Sequence, residues 1–123
     1  RTALPSLARI GGEGPRFGLA AQPADMRCAF GRLAELARSV IGQDPLSGHL
    51  FVFRGRGGSR LKVLYWDRDG YALWYKRLEE GAFKLPSVPD GAASVELRAS
   101  EMAMLLEGID LRTLRRTKRY SRT

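Results

Sequence analysis

The stretch from His49 to Leu78 reads HLFVFRGRGGSRLKVLYWDRDGYALWYKRL. It holds three runs of apolar, β-branched and aromatic residues, 49–54, 60–66 and 71–78, separated by turn residues. Gly55-Arg56-Gly57-Gly58-Ser59 has the composition of a flexible hairpin loop. Asp67-Arg68-Asp69-Gly70 contains the Asp-Gly pair that favours a tight turn with positive φ. The stretch therefore predicts a three-stranded antiparallel meander. Side chains alternate along a strand, so Leu61, Val63 and Tyr65 share one face, while Lys62, Leu64 and Trp66 share the other. In the third run Tyr71, Leu73 and Tyr75 oppose Ala72, Trp74 and Lys76. Both faces carry apolar side chains.

On the N-terminal side of this stretch, residues 16–20 predict a short strand. Pro23-Ala24-Asp25 opens a helix, with Asp25 as N-cap and its carboxylate at the positive end of the helix dipole. Met26, Phe30, Leu33, Ala37, Val40 and Ile41 recur at three- and four-residue spacing and give that helix one apolar face, up to Gly42. Asp44-Pro45-Leu46-Ser47-Gly48 is a turn. On the C-terminal side, 82–85 predicts a short strand stopped by Pro86, and 86–94 a Pro/Gly/Ser loop. Val95 and Leu97 lead into a second helix over about 99–107. Met102, Leu105, Leu106 and Ile109 form its stripe, and Gly108 its left-handed cap. The expected fold is α+β: a small antiparallel β-meander of three to five strands packed by two helices, with a basic C-terminal tail. The expected division is a flexible N-terminal arm over 1–15, one α+β domain over 16–110 and the tail over 111–123.

Composition narrows the function. In 123 residues there is one cysteine, Cys28, and one histidine, His49. An internal disulfide, a thiolate-based metal site and most Ser-His or Cys-His pairs are thereby excluded. No apolar run is long enough to span a bilayer and no secretory signal is evident. The expectation is a cytoplasmic protein without a membrane partner. The net charge is +8, from 21 Lys and Arg against 13 Asp and Glu. Six of those basic residues (Arg112, Arg115, Arg116, Lys118, Arg119, Arg122) fall in 111–123, which has no acid. The body is nearly neutral and the tail is not.

Blocks of like charge are commonly interaction tails, and arginine suits bidentate phosphate contacts. The hairpin tip places Arg54, Arg56 and Arg60 around glycines that let backbone amides approach a phosphate; the alternative is a solvated loop. No helix follows that loop, so a Walker-type phosphate site is excluded. If the helices leave one sheet face open, Trp66 and Trp74 can stack bases or meet a partner among the basic residues; if that face is covered, they are core. The expected nucleic-acid-binding set is Arg54, Arg56, Arg60, Lys62, Lys76, Arg77, Arg112, Arg115, Arg116, Lys118 and Arg119. Asp67 with Asp69, and Glu79 with Glu80, are the carboxylates a metal-dependent nuclease would use, but turn-forming and exposed acids explain them better. No catalytic residue, metal or cofactor is expected, and no enzyme.

Three further features carry a family resemblance. They are 44–54 (Asp-Pro-Leu-Ser-Gly-His-Leu-Phe-Val-Phe-Arg), 61–79 with its Tyr65-Trp66-Asp67 and Leu73-Trp74-Tyr75-Lys76-Arg77, and the closing 104–110. Together they resemble the accessory protein, called TnpB, of the insertion-sequence sixty-six transposon family, unrelated to the RNA-guided nuclease of that name. The likeness runs over about 16–120. The family's usual Asp-Met-Arg-Lys-Gly-Phe is here Asp25-Met26-Arg27-Cys28-Ala29-Phe30, so a basic side chain at 28 is absent. The resemblance implies a role in DNA transposition beside a separate, larger transposase that carries the acidic catalytic residues. The expected function is accordingly a non-catalytic accessory protein that binds nucleic acid, at the transposon ends, or assists the transposase. The alternative is a protein–protein adaptor that docks on the transposase, or self-associates, through its aromatic sheet face without touching DNA.

Overall fold

The computed structural model describes residues 16–112; the expected arm over 1–15 and the tail from 113 onward lie outside the described residues. Five strands, β1 (Phe17–Ala20), β2 (Leu50–Arg54), β3 (Arg60–Asp67), β4 (Gly70–Arg77) and β5 (Ser94–Leu97), form one sheet in the order β4-β3-β2-β1-β5. The predicted meander β2-β3-β4 is present and antiparallel. β1 pairs in parallel with β2 and antiparallel with β5. The chain between β1 and β2 crosses over through α1 (Phe30–Leu36), while α2 (Ala99–Leu106) follows β5.

The two helices lie on opposite faces of the sheet. On one face Phe17, Leu19, Leu50, Val52, Leu61, Val63 and Leu97 pack with Met102 and Leu105 of α2 and with Leu111. On the other, Phe51, Phe53, Leu64 and Ala20 pack with Leu33 and Ala34 of α1 and with Ala37. Strand alternation explains both clusters, and full burial of each large side chain contributes about 1.5–3 kcal/mol. Leu111, the first residue of the expected tail, is only 2% exposed, and its N–H donates to the Lys84 carbonyl at 2.9 Å.

Four local expectations are corrected. The first helix begins at Phe30; the Asp25 carboxylate does accept from the Arg27 backbone N–H (2.9 Å) and guanidinium, but the turn it closes, with the Cys28 N–H on the Asp25 carbonyl, is not continued, and Cys28 thus precedes the helix. From Ala37 to Ile41 the helix widens into a π-type turn, which brings Ile41 over β1. A Cβ on Gly18 would stand 2.9 Å from Ile41 Cγ2, so only glycine permits that approach. Residues 82–85 form no strand; the Phe83 N–H instead bonds the Gly58 carbonyl at 2.8 Å and straps this segment to the hairpin loop. Val95 and Leu97 belong to β5, not to a helix lead-in. Finally, the left-handed residue of the β3–β4 turn is Arg68 (φ 59°), not Gly70.

α2 runs much as expected. Glu101, 3% exposed, accepts a hydrogen bond from the Arg98 N–H at 2.9 Å, which satisfies one of the helix's free N-terminal donors. Gly108 (φ 89°) closes a Schellman motif: its N–H bonds Leu105 O, and the Ile109 N–H bonds Met104 O, both at 3.0 Å.

Candidate nucleic-acid interface

The β2–β3 hairpin and the 23–28 segment meet at one end of the sheet. Gly55 is buried against Met26, and a Cβ there would stand 2.8 Å from Met26 Cγ. Beside this contact runs a groove of about 520 Å³ lined by Arg27, Arg56, Arg60, Asp25, Met26 and the loop backbone. Its one carboxylate is engaged. Arg27 grips Asp25 through two guanidinium nitrogens (3.0 and 2.8 Å), while its own side chain is 90% exposed. Those hydrogen bonds hold the Asp25 carboxyl far below the usual carboxylate range. Arg56 and Arg60 are exposed and form no ion pair among the described residues. Arg27 joins this surface although it is outside the expected contact set, because the helix begins only at Phe30 and leaves the 23–28 segment beside the hairpin.

The β3–β4 register extends the cationic surface. Arg60 faces Arg77 and Lys62 faces Tyr75, and alternation puts all four on the α1 side of the sheet. Lys62 is the expected contact residue that the fold takes inward. It is 6% exposed, and its ammonium donates to the Met26 and Cys28 carbonyls, both at 2.7 Å. The same Nζ lies 4.8 Å from the centroid of the Tyr75 ring, in cation–π range. Tyr75 is 49% exposed.

The remaining expected residues are dispersed. Arg54 is half-buried, and its guanidinium donates to the Ala21 carbonyl at 3.0 Å. With Arg112 and Asp90 it lines a second groove of about 500 Å³ on the other flank of the hairpin. Arg112 is exposed and bound to Asp110, whose carboxyl its hydrogen bonds lower to about 2. Lys76 is exposed and pairs with Leu61, on the α2 side. Arg115, Arg116, Lys118 and Arg119 lie outside the described residues. The two tryptophans lie on opposite faces: Trp74 pairs with Val63 and packs on the α2-side core, whereas Trp66 pairs with Tyr71 and meets it edge-on, centroids 5.2 Å apart at 86°. Both are partly buried. No group of three or more His, Cys, Asp or Glu stands together as a metal-holding set among the described residues, and Asp67, Asp69, Glu79 and Glu80 are all exposed.

Fold and surface together define a small α+β protein, with one helix packed on each sheet face and an arginine-rich end built from a glycine hairpin. The chain belongs to the IS66 Orf2-like protein family, whose pattern matches residues 16–116; these are accessory proteins associated with transposition. It is 44% identical over 101 residues to the uncharacterized protein y4hO of Sinorhizobium fredii (strain NBRC 101917 / NGR234), covering 82% of this chain and 86% of that one. It is 38% identical over 103 residues to y4jC of the same strain, covering 84% and 86%. No solved structure matches the chain. No helix among the described residues is long and apolar enough to cross a membrane.

Proposed function

We propose that this protein is a non-catalytic accessory factor that binds the DNA ends of its insertion sequence and steadies the separate transposase there. The observation that carries the reading is the run of Arg27, Arg56, Arg60 and Arg77 along one end of the sheet, where the single carboxylate in the groove is already held by Arg27. Arginine forks grip phosphate in a bidentate manner, and neutralised phosphates release counterions. The basic residues of 113–123 add to the same charge. Each phosphate contact contributes a log–log salt slope of roughly 0.9.

The test is a mobility-shift series across salt with duplexes carrying the element's ends. Binding is expected to weaken steeply with salt. Arg56→Glu with Arg60→Glu, and separately removal of 113–123, are each expected to weaken it and flatten the slope. No salt-sensitive retention by the full chain overturns the proposal. The adaptor reading draws less support, since Trp66 and Trp74 point to opposite faces and offer no single aromatic docking surface.

A further inference from the structure

Resting on that nucleic-acid reading, we infer that Tyr75 is a stacking platform for an unpaired base, so that the Arg60–Arg77 corner of the sheet selects single-stranded DNA. The tight β3–β4 turn sets Arg60, Lys62, Tyr75 and Arg77 as a two-by-two square on one sheet face, Arg60 opposite Arg77 and Lys62 opposite Tyr75. Three corners are cations and the fourth is an aromatic ring that is half exposed. The ring lies over the buried Lys62 ammonium, which two carbonyls fix at 2.7 Å. Those bonds hold the ammonium 4.8 Å from the ring centroid. The exposed part of the ring is what remains to meet a ligand.

The neighbours fix the ligand's chemistry. Arg77 is two residues along β4 from Tyr75 and Arg60 lies diagonal to it, a step that side chains of this length span. Neither arginine has an ion pair among the described residues. A ligand that suits an aromatic face flanked by two free guanidinium groups carries a flat π surface beside anionic groups, which is a nucleotide with its base unpaired. In a duplex the base faces are occupied by their own neighbours, so a lone ring on a sheet gains nothing from them; a single strand can lay a base on the ring while its phosphates meet the arginines. The groove that holds Arg56 and Arg27 shares Arg60 with this square, and the strand's backbone would continue into it.

The experiment is fluorescence anisotropy of the full chain against a fluorescein-labelled thymidine oligomer of about 12 nucleotides, a duplex of equal length and a uridine RNA oligomer. Tyr75→Ala is expected to weaken the single strand by roughly 5- to 150-fold, the range that base–aromatic stacking gives, and to leave the duplex within about twofold. Tyr75→Phe keeps the ring and is expected to keep the affinity. Tyr75→Lys, which adds charge at some cost in stability because it stands opposite Lys62, is expected, in protein verified as folded by circular dichroism, to bind the duplex more tightly yet lose the single-strand preference. Equal single-strand affinity of wild type and Tyr75→Ala overturns the inference while salt-sensitive duplex binding leaves the nucleic-acid reading standing; so does a Tyr75→Lys chain that gains on both ligands alike. Tighter binding of the RNA oligomer overturns the assignment to DNA. A full chain that binds none of the three overturns both readings.

Discussion

Arg60 and Arg77 stand directly opposite each other across β3 and β4, two like charges at neighbouring positions. Such a pair is destabilising, and an opposite-charge pair in its place gains roughly 0.2–1 kcal/mol. Arg77→Glu is therefore expected to raise stability toward urea by several tenths of a kcal/mol at low salt, with the gain shrinking as salt rises. The same variant is expected to weaken DNA retention. Higher stability with weaker binding is the signature of a charge arrangement kept for a ligand; unchanged binding would leave the pair as a structural accident.

Lys62 gives the converse case. Its ammonium satisfies the Met26 and Cys28 carbonyls from a buried position, and Lys62→Met removes the donor while keeping much of the stem. A buried acceptor left without a partner costs about 1–3 kcal/mol. The expected result is a loss of that size in chemical denaturation, with duplex affinity changed far less than by Arg60→Glu. A duplex affinity that falls as much as with Arg60→Glu would return Lys62 to the contact surface.

That lysine also marks where the sequence stopped being legible. The meander was readable because 49–78 alternates and is punctuated by glycine and aspartate. β5 was not, since Ser94–Leu97 has only four residues and runs into α2 with no turn residue between them. The parallel pairing of β1 with β2 depends on a crossover that no local pattern encodes. Asp25 has the chemistry of an N-cap and accepts from the Arg27 N–H two residues on, but the turn it closes is not continued, and the helix starts five residues later. The Arg60–Arg77 and Lys62–Tyr75 pairings were within reach, because a two-residue turn at Arg68-Asp69 fixes the whole register. What could not be read was that the 23–28 segment folds over Lys62 and turns a strand lysine into an internal donor.

Gly58 tests the hairpin tip. It holds φ at 85°, and an added Cβ would lie 3.2 Å from Ala82 Cβ. A left-handed conformation costs a non-glycine residue about 1–2 kcal/mol, so Gly58→Ala is expected to destabilise by at least that amount. Because the Phe83 N–H bonds the Gly58 carbonyl, faster amide exchange at Phe83 is expected as well. Unchanged exchange there would show that the 82–85 strap is held from elsewhere.

Asp110 offers a pH readout. Hydrogen bonds from the Arg112 side chain and backbone lower its carboxyl to about 2, below the ordinary value of about 3.9. A depressed folded pKa contributes stability that is present in full above about 4 and lost as pH falls through about 2. Both side chains are well exposed, so solvent keeps that contribution small, and the carboxyl titration followed by NMR is the sensitive measurement. Arg112→Gln is expected to move the midpoint upward, toward the ordinary value. A midpoint that stays near 2 would assign the depression to another group.

Leu111 separates the role of the tail from the integrity of the fold. It is buried among Leu19, Leu61, Met102 and Leu105 on the α2 side, and its N–H is held by Lys84. Truncating a buried leucine to alanine costs about 2–5 kcal/mol, and ending the chain at Asp110 removes the whole residue. That truncation is expected to lower stability by at least about 2 kcal/mol in urea denaturation. A chain ending at Arg112 keeps both Leu111 and the Asp110 pair, and is expected to match the full protein to within about 0.5 kcal/mol, as changes away from the core generally do. Loss of DNA binding in the chain ending at Arg112 therefore reports on the charge of 113–123, whereas loss seen only in the chain ending at Asp110 reports on folding. Equal stability of the two truncated chains would remove Leu111 from the core and place the end of the folded unit at Asp110.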